Sequence, residues 1–246
     1  MGFGDIIFIA AIIYVAYILF KKRGSMIYTK GVKLINQKNY AEGLSYLEKA
    51  VEKGVTPIQE ISSAYAEVKF GDIRKAETKI NMVLLNSKVP QNMKNEARCV
   101  LAIINIAKGN IPAAREIMDK MYENFKTTKF YSTYGYLAVI SGDMEFSKKI
   151  NEEAYDYNSD NAVICDNYGL HLYNAGEYEK AKEIYEKITE KELRFPEGYY
   201  NYANVLIKLG DTQKAKEMLE KALSMEFFGI TTVKKEEVIR VYESIA

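Results

Sequence analysis

A chain of 246 residues with 34 basic against 33 acidic side chains lacks the positive excess by which nucleic-acid binders hold phosphate. Four prolines, fifteen glycines and 48% hydrophobic residues exclude a fibrous or disordered polymer. Two cysteines, Cys99 and Cys165, are too few for a disulfide framework and form no CxxC pair for zinc.

The first segment is a different material from the rest. Fifteen residues from Ile6 to Phe20 carry no charge, and Lys21, Lys22 and Arg23 follow at once. As a helix that run is about 22 Å long, against about 30 Å of hydrocarbon in a bilayer. Gly2 to Asp5 and the snorkelling stems of Lys21 and Lys22 bring it close to a span. A cleaved signal peptide would start with basic residues and end in small ones, whereas Asp5 precedes this run and Leu19-Phe20 close it. A buried helix of the folded domain is the other alternative. The segment fits best as a single-pass transmembrane anchor over residues 1–23. Lys21, Lys22, Arg23, Lys30, Lys33 and Lys38 all follow the run and no basic residue precedes it. The positive-inside bias then predicts an N-terminus outside and repeats in the cytoplasm.

From residue 26 the pattern is helical with recurring punctuation. Gly71, Gly109, Gly142, Gly176 and Gly210 stand 38, 33, 34 and 34 residues apart, followed by Asp72, Asn110, Asp143, Glu177 and Asp211. Lys38-Asn39 holds the same place in an earlier copy. A left-handed glycine closes one helix, and the side chain after it accepts from the free amides of the next. Pro57, Pro112 and Pro196 fall where helices should begin. Two small columns recur: Gly31, Ala64, Ala102, Gly135, Gly169 and Ala203 before the turn, then Gly43, Ala76, Ala114, Ser147, Ala181 and Ala215 after it. They predict a close approach of two antiparallel helices. Four residues further stand Leu47, Ile80, Met118, Tyr185 and Leu219, with Asn151 the exception, expected to fill the space between one pair and the next.

The stretches "CDNYGLHL…GEYEKAKEIYEKI", "YSTYGYLA…GDMEF" and "YYNYANVL…GDTQKAKEMLEKAL" resemble tetratricopeptide repeats, with Cys165, Tyr131 and Tyr199 where the family has tryptophan. The resemblance implies an all-α fold, a right-handed superhelical solenoid of helix-turn-helix repeats behind the single transmembrane helix. Six hairpins cover 24–228 and a capping helix 229–246, with Val238, Val241, Tyr242 and Ile245 on one face and Lys234, Lys235 and Arg240 on the other. Glu60 and Arg98 depart from the family at the bulky column, and extra residues near Ser87 to Gln91 lengthen one connection.

No Walker loop, GxGxxG, HExxH or GxSxG is present, so neither enzyme chemistry nor a cofactor or metal is expected. The one histidine, His171, has no second ligand at metal spacing and reads as a helix-surface residue; both cysteines read as small packing residues. In the resembled family, partners bind the surface lined by the first helices. The columns expected to face it are Tyr28 and Val32, Ile61 and Tyr65, Cys99 and Ile103, Ser132 and Tyr136, Asp166 and Leu170, Tyr200 and Asn204. The tyrosines among them suit an inward-packed core equally well. An aliphatic and tyrosine-lined face fits a protein or peptide ligand, an amphipathic helix or apolar segment. It lacks the Lys, Asn and Arg set with which the family grips an acidic C-terminus. A membrane-anchored adaptor is therefore expected. The alternatives are a self-associating structural membrane protein, or an exported repeat protein if the first segment is a signal.

Overall fold

The computed structural model describes residues 22–245. The apolar run from Ile6 to Phe20 lies outside them, and among the described residues no helix is long and apolar enough to cross a membrane. Thirteen helices and no strand occur among the described residues. Helix α1 covers 22–36 and is followed by α2 (Tyr40–Glu52), α3 (Pro57–Phe70), α4 (Ile73–Leu85) and α5 (Gln91–Ala107). Then come α6 (Ile111–Asp119), α7 (Thr128–Ile140), α8 (Met144–Tyr157), α9 (Ala162–Asn174) and α10 (Tyr178–Thr189). The last three are α11 (Pro196–Lys208), α12 (Thr212–Leu223) and α13 (Lys235–Ser244). The chain is an all-α solenoid of helical hairpins in two compact units, one ending at Val100 and the other beginning at Leu101, inside α5.

The predicted punctuation closes most hairpins. Gly109, Gly142, Gly176 and Gly210 have φ of 75 to 84°, and Lys38 takes the same left-handed conformation at 63°. At four of these turns the next amide bonds back to a carbonyl five residues earlier: Asn39 to Leu34, Asn110 to Asn105, Glu177 to Leu172, Asp211 to Leu206. Asp143 and Asp211 then cap the following helix, accepting from Phe146 N (3.0 Å) and Lys214 N (3.1 Å). Gly71 departs from the expectation, with φ −136°. A Cβ there would lie 2.2 Å from Glu67 Oε2 and 2.9 Å from Leu44 Cδ1, so lack of room rather than a left-handed turn selects glycine. Glu67 is itself buried in an ion pair with Lys79 (2.9 Å) in the first unit.

The small columns make the close contacts within each hairpin. Ala64, Ala76, Ala102, Ala114, Ala181, Ala203 and Ala215 have no exposed surface. The larger residues four places further cover the first-column glycine in the three hairpins that have one, and Tyr185 also stacks on Tyr202 of the next hairpin (ring centroids 5.6 Å apart). A Cβ on Gly31 would meet Leu47 Cδ2 at 2.8 Å, one on Gly135 Asn151 Oδ1 at 2.6 Å, and one on Gly169 Tyr185 Cε2 at 2.7 Å. The cap also differs from its predicted bounds. Residues 225–234 are not helical, because Gly229 and the β-branched run Ile230-Thr231-Thr232-Val233 disfavour a helix, and α13 starts only at Lys235. Val238 on α13 is fully buried; Lys234, Lys235 and Arg240 face solvent.

Candidate partner-binding face

In the second unit α7, α9 and α11 lie side by side, each first helix packing against the next. Asparagines one repeat apart tie them together. Asn167 Nδ2 on α9 donates to the Ser132 carbonyl on α7 (2.8 Å), and Asn201 Nδ2 on α11 donates to Asp166 Oδ1 on α9 (3.0 Å). Tyr185 of α10 adds a second donor to Asp166 Oδ1 (3.1 Å) and reaches its carbonyl at the same distance. Burial pushes the Asp166 carboxyl up from its ordinary 3.8 to about 7, with nearby Glu197 adding to the rise and the Asn201 and Tyr185 donors opposing it.

The predicted columns divide between face and core. Tyr28, Val32, Ser132, Tyr136, Leu170, Asn204 and Ile103 are half-buried, and Tyr65 is exposed. Ile61 and Cys99 are wholly enclosed, and Asp166 and Tyr200 retain only 7% and 9% of their surface. Asp166 and Tyr200 thus lie within the packing. Asp166 is enclosed by Tyr185 and Asn201, and the Tyr200 hydroxyl is engaged by Glu237 Oε1 (3.0 Å). Tyr136, Leu170 and Asn204, one on each of α7, α9 and α11, share the accessible face.

His171 is a correction. It keeps 3% of its surface, and its Nδ1 is 3.0 Å from Ser147 Oγ on α8. Burial lowers its pKa, which holds the ring neutral. Ser147 and Asn151 are the two polar residues in columns otherwise small or apolar, and that was the signal for a buried polar partner. Asn151 Nδ2 donates to the Ser147 and Gly135 carbonyls (2.9 and 3.2 Å), while its Oδ1 lies over Gly135 without a hydrogen-bond donor. Cys99 and Cys165 are buried, and burial pushes the Cys165 thiol up to about 11, away from reactivity. Among the described residues no cluster of histidine, cysteine and carboxylate side chains could hold a metal ion.

Many tyrosines bury the ring and spend the hydroxyl on an acid. Tyr131 and Tyr122 donate to Glu153 (2.6 and 2.5 Å), Tyr134 to Asp119, Tyr202 to Glu186 (3.3 Å) and Tyr242 to Glu220 (2.8 Å). Burial would raise the Glu153 carboxyl, yet Lys126 (2.6 Å) and the two phenols outweigh it and hold the group at about 2.

A family model described as a tetratricopeptide repeat matches residues 196–227, the α11–α12 hairpin whose geometry the other hairpins repeat. Residues 196–227 are a tetratricopeptide repeat, and the fold of the chain is that of tetratricopeptide-repeat proteins. A tetratricopeptide-repeat protein from Parabacteroides merdae superposes with a TM-score of 0.69 at 15% identity, over 91% of this chain and 84% of that one. A chain of the APC/C hetero-tetramer Cut9–Hcn1 gives 0.71 at 14% identity, over 90% of this repeat protein and 42% of its own length. PilW, a widely conserved type IV pilus biogenesis factor, gives 0.62 at 10% identity, over 82% and 93% of the two chains. At these identities the likeness is one of fold. No curated protein matches the chain.

Proposed function

We propose that this repeat protein is a membrane-anchored adaptor that binds a protein segment on the first-helix faces of its repeats. Residues 6–20 form the anchor, and the repeats stand on the cytoplasmic side, where the basic residues after the run would hold them. One observation carries the reading. Tyr136, Leu170 and Asn204 form a half-buried row across three adjoining helices, with apolar and hydrogen-bonding character together. Such a row suits an extended or amphipathic apolar segment, whose backbone and side chains need both kinds of contact.

The reading is tested by capture from detergent-solubilised membranes with the full chain and with Leu170→Arg/Asn204→Arg. Both positions are half-buried, and melting curves establish that the variant is folded. A protein captured by the wild type and lost from an equally folded variant supports the adaptor. Equal capture by both, or recovery of the chain itself alone, refutes face binding and favours self-association. The anchor is tested separately by resistance to alkaline extraction from membranes, which deletion of residues 6–20 should abolish. Protease digestion of sealed vesicles reads the side: repeats protected in right-side-out vesicles and cut in inverted ones agree with a cytoplasmic location.

A further inference from the structure

The C-terminal connection of the second unit already lies on the face described above. Between α12 and α13 the chain runs without helix through residues 225–234 and is fastened to α11. Thr232 N donates to Glu197 Oε1 in the first turn of α11 (2.9 Å), and the Thr232 side chain lies near the half-buried Tyr136 phenol of α7. Just beyond, Glu237 Oε1 accepts from the Tyr200 hydroxyl of α11 (3.0 Å). A turn between Phe228 and Thr231 sets the curvature, with Phe228 N donating to Thr231 Oγ1 (2.8 Å) and Thr231 N to the Phe228 carbonyl (2.9 Å).

The fastening is of a particular kind. No residue from 223 through 237 is fully buried, whereas Val238 next to it has no exposed surface. Phe227 and Val233 rest on the core only partly enclosed. The segment is therefore held by a few polar contacts at one end and by little apolar burial. Segments so held open locally without the fold being lost, because little buried surface is exposed in doing so.

We propose that residues 225–237 are a replaceable occupant of the first-helix face, a strap that a partner segment must displace. The inference rests on the adaptor reading and deepens it by naming the partner's chemistry. The incoming segment is extended, carries aromatic or β-branched residues, presents a backbone amide to Glu197, and places a carboxylate about five residues later for Tyr200. The closed strap reduces apparent affinity by the fraction of molecules in which the face is open.

The probe is a fluorescent peptide with this chain's own residues 224–238, and its binding is read by polarisation. The full-length wild type is compared with Thr232→Pro/Glu237→Ala, which removes the amide proton and hydroxyl at 232 and the acceptor at 237. The variant should bind the peptide on the order of tenfold more tightly or better. Equal binding to both proteins, or none to a folded variant, overturns the proposal. Hydrogen exchange on the wild type decides independently, even if the variant fails to fold. The Thr232 amide should exchange orders of magnitude faster than that of Ala203 in the middle of α11; equal protection would make the strap a permanent part of the fold. Neither readout uses an external partner, so the strap can fail while face binding by other proteins stands, and membrane capture can fail while the strap proves mobile.

Discussion

Replacing Gly169 by alanine isolates the contact on which each hairpin is built. In an ordinary helix interior the change stabilises by about 1 kcal/mol, since alanine loses less backbone freedom than glycine. Here the new Cβ would lie 2.7 Å from Tyr185 Cε2 and 2.8 Å from its Cζ, distances that van der Waals radii forbid. Tyr185 cannot simply swing aside: it is fully buried, and its hydroxyl bonds Asp166 at 3.1 Å. Overpacking of this sort costs about 1–3 kcal/mol. Dragging the hydroxyl from Asp166 adds about 1–2 kcal/mol, because the partner left behind is buried. The net expectation is destabilisation by about 2 kcal/mol, or a midpoint lower by about 4–8 °C in a chain of this size. Differential scanning calorimetry or a urea titration reads it. The second variant is Gly169→Ala/Tyr185→Leu, which reproduces the pairing of Ala203 with Leu219 in the next hairpin. It should recover part of the loss, with a coupling of about 1 kcal/mol or more between the two sites. A Gly169→Ala protein that melts at or above the wild type, or two strictly additive changes, would refute the account of the column.

Two further outcomes follow from single residues. Asp166 titrates at about 7 when folded and near 3.8 when free, so the folded state holds a proton through that window while the unfolded chain has lost it. Its contribution to stability is therefore complete below pH 4 and declines as pH rises toward 7. Asp166→Asn should flatten that decline and be more stable than wild type at pH 8 by about 2–4 kcal/mol, read from urea midpoints across pH; an unchanged slope would mean that Asp166 is ionised throughout. Lys38 is the one described non-glycine residue with positive φ, at 63°, so Lys38→Gly should stabilise by about 0.5–1 kcal/mol in thermal melts, and a loss would mean that its side chain holds the turn.

How far the sequence was legible can be judged residue by residue. The turns were, because a left-handed residue followed by a capping side chain is a local requirement met by few residue types, as Gly142-Asp143 and Gly210-Asp211 do. The small columns were legible for a related reason: only glycine, alanine or serine permits two helix axes to approach so closely. The partner of each small residue was not. Spacing says that Tyr185 lies sixteen residues after Gly169, but not whether it turns toward its own hairpin or the next. The His171 contact was missed because it depends on α8 and α9 being neighbours, although serine and asparagine in columns elsewhere apolar were already a sign of it. The Asn167 and Asn201 pair was likewise visible at a 34-residue interval and carried no meaning until α7, α9 and α11 were placed side by side.

The division of the first-helix columns between face and core was not legible, for a deeper reason. A surface helix has one apolar stripe, and the opposite side announces itself by charge. Helices α8, α10 and α12 obey this: Ala181, Tyr185 and Ile188 line one side of α10, and Glu179, Glu183 and Glu186 are exposed on others. Helix α7 does not. Phe130, Tyr131, Thr133, Tyr134, Gly135, Leu137, Ala138 and Val139 are all buried, because α6, α8 and α9 each pack against it. With so much of the circumference covered, no period separates what packs inward from what faces a ligand. Composition is an equally poor guide, since a tyrosine satisfies both roles by burying its ring and hydrogen-bonding its hydroxyl, as Tyr200 does with Glu237. The remaining discriminator is whether the group that takes the hydroxyl is fixed in the core or can leave. For Tyr185 it is the enclosed Asp166 of a neighbouring helix; for Tyr200 it is Glu237 in the first turn of α13. Tyr185 and Tyr200, alike in sequence, thus differ in whether the hydroxyl's partner is enclosed in the core or stands on the last helix, and the exchange experiment on the strap turns on that difference.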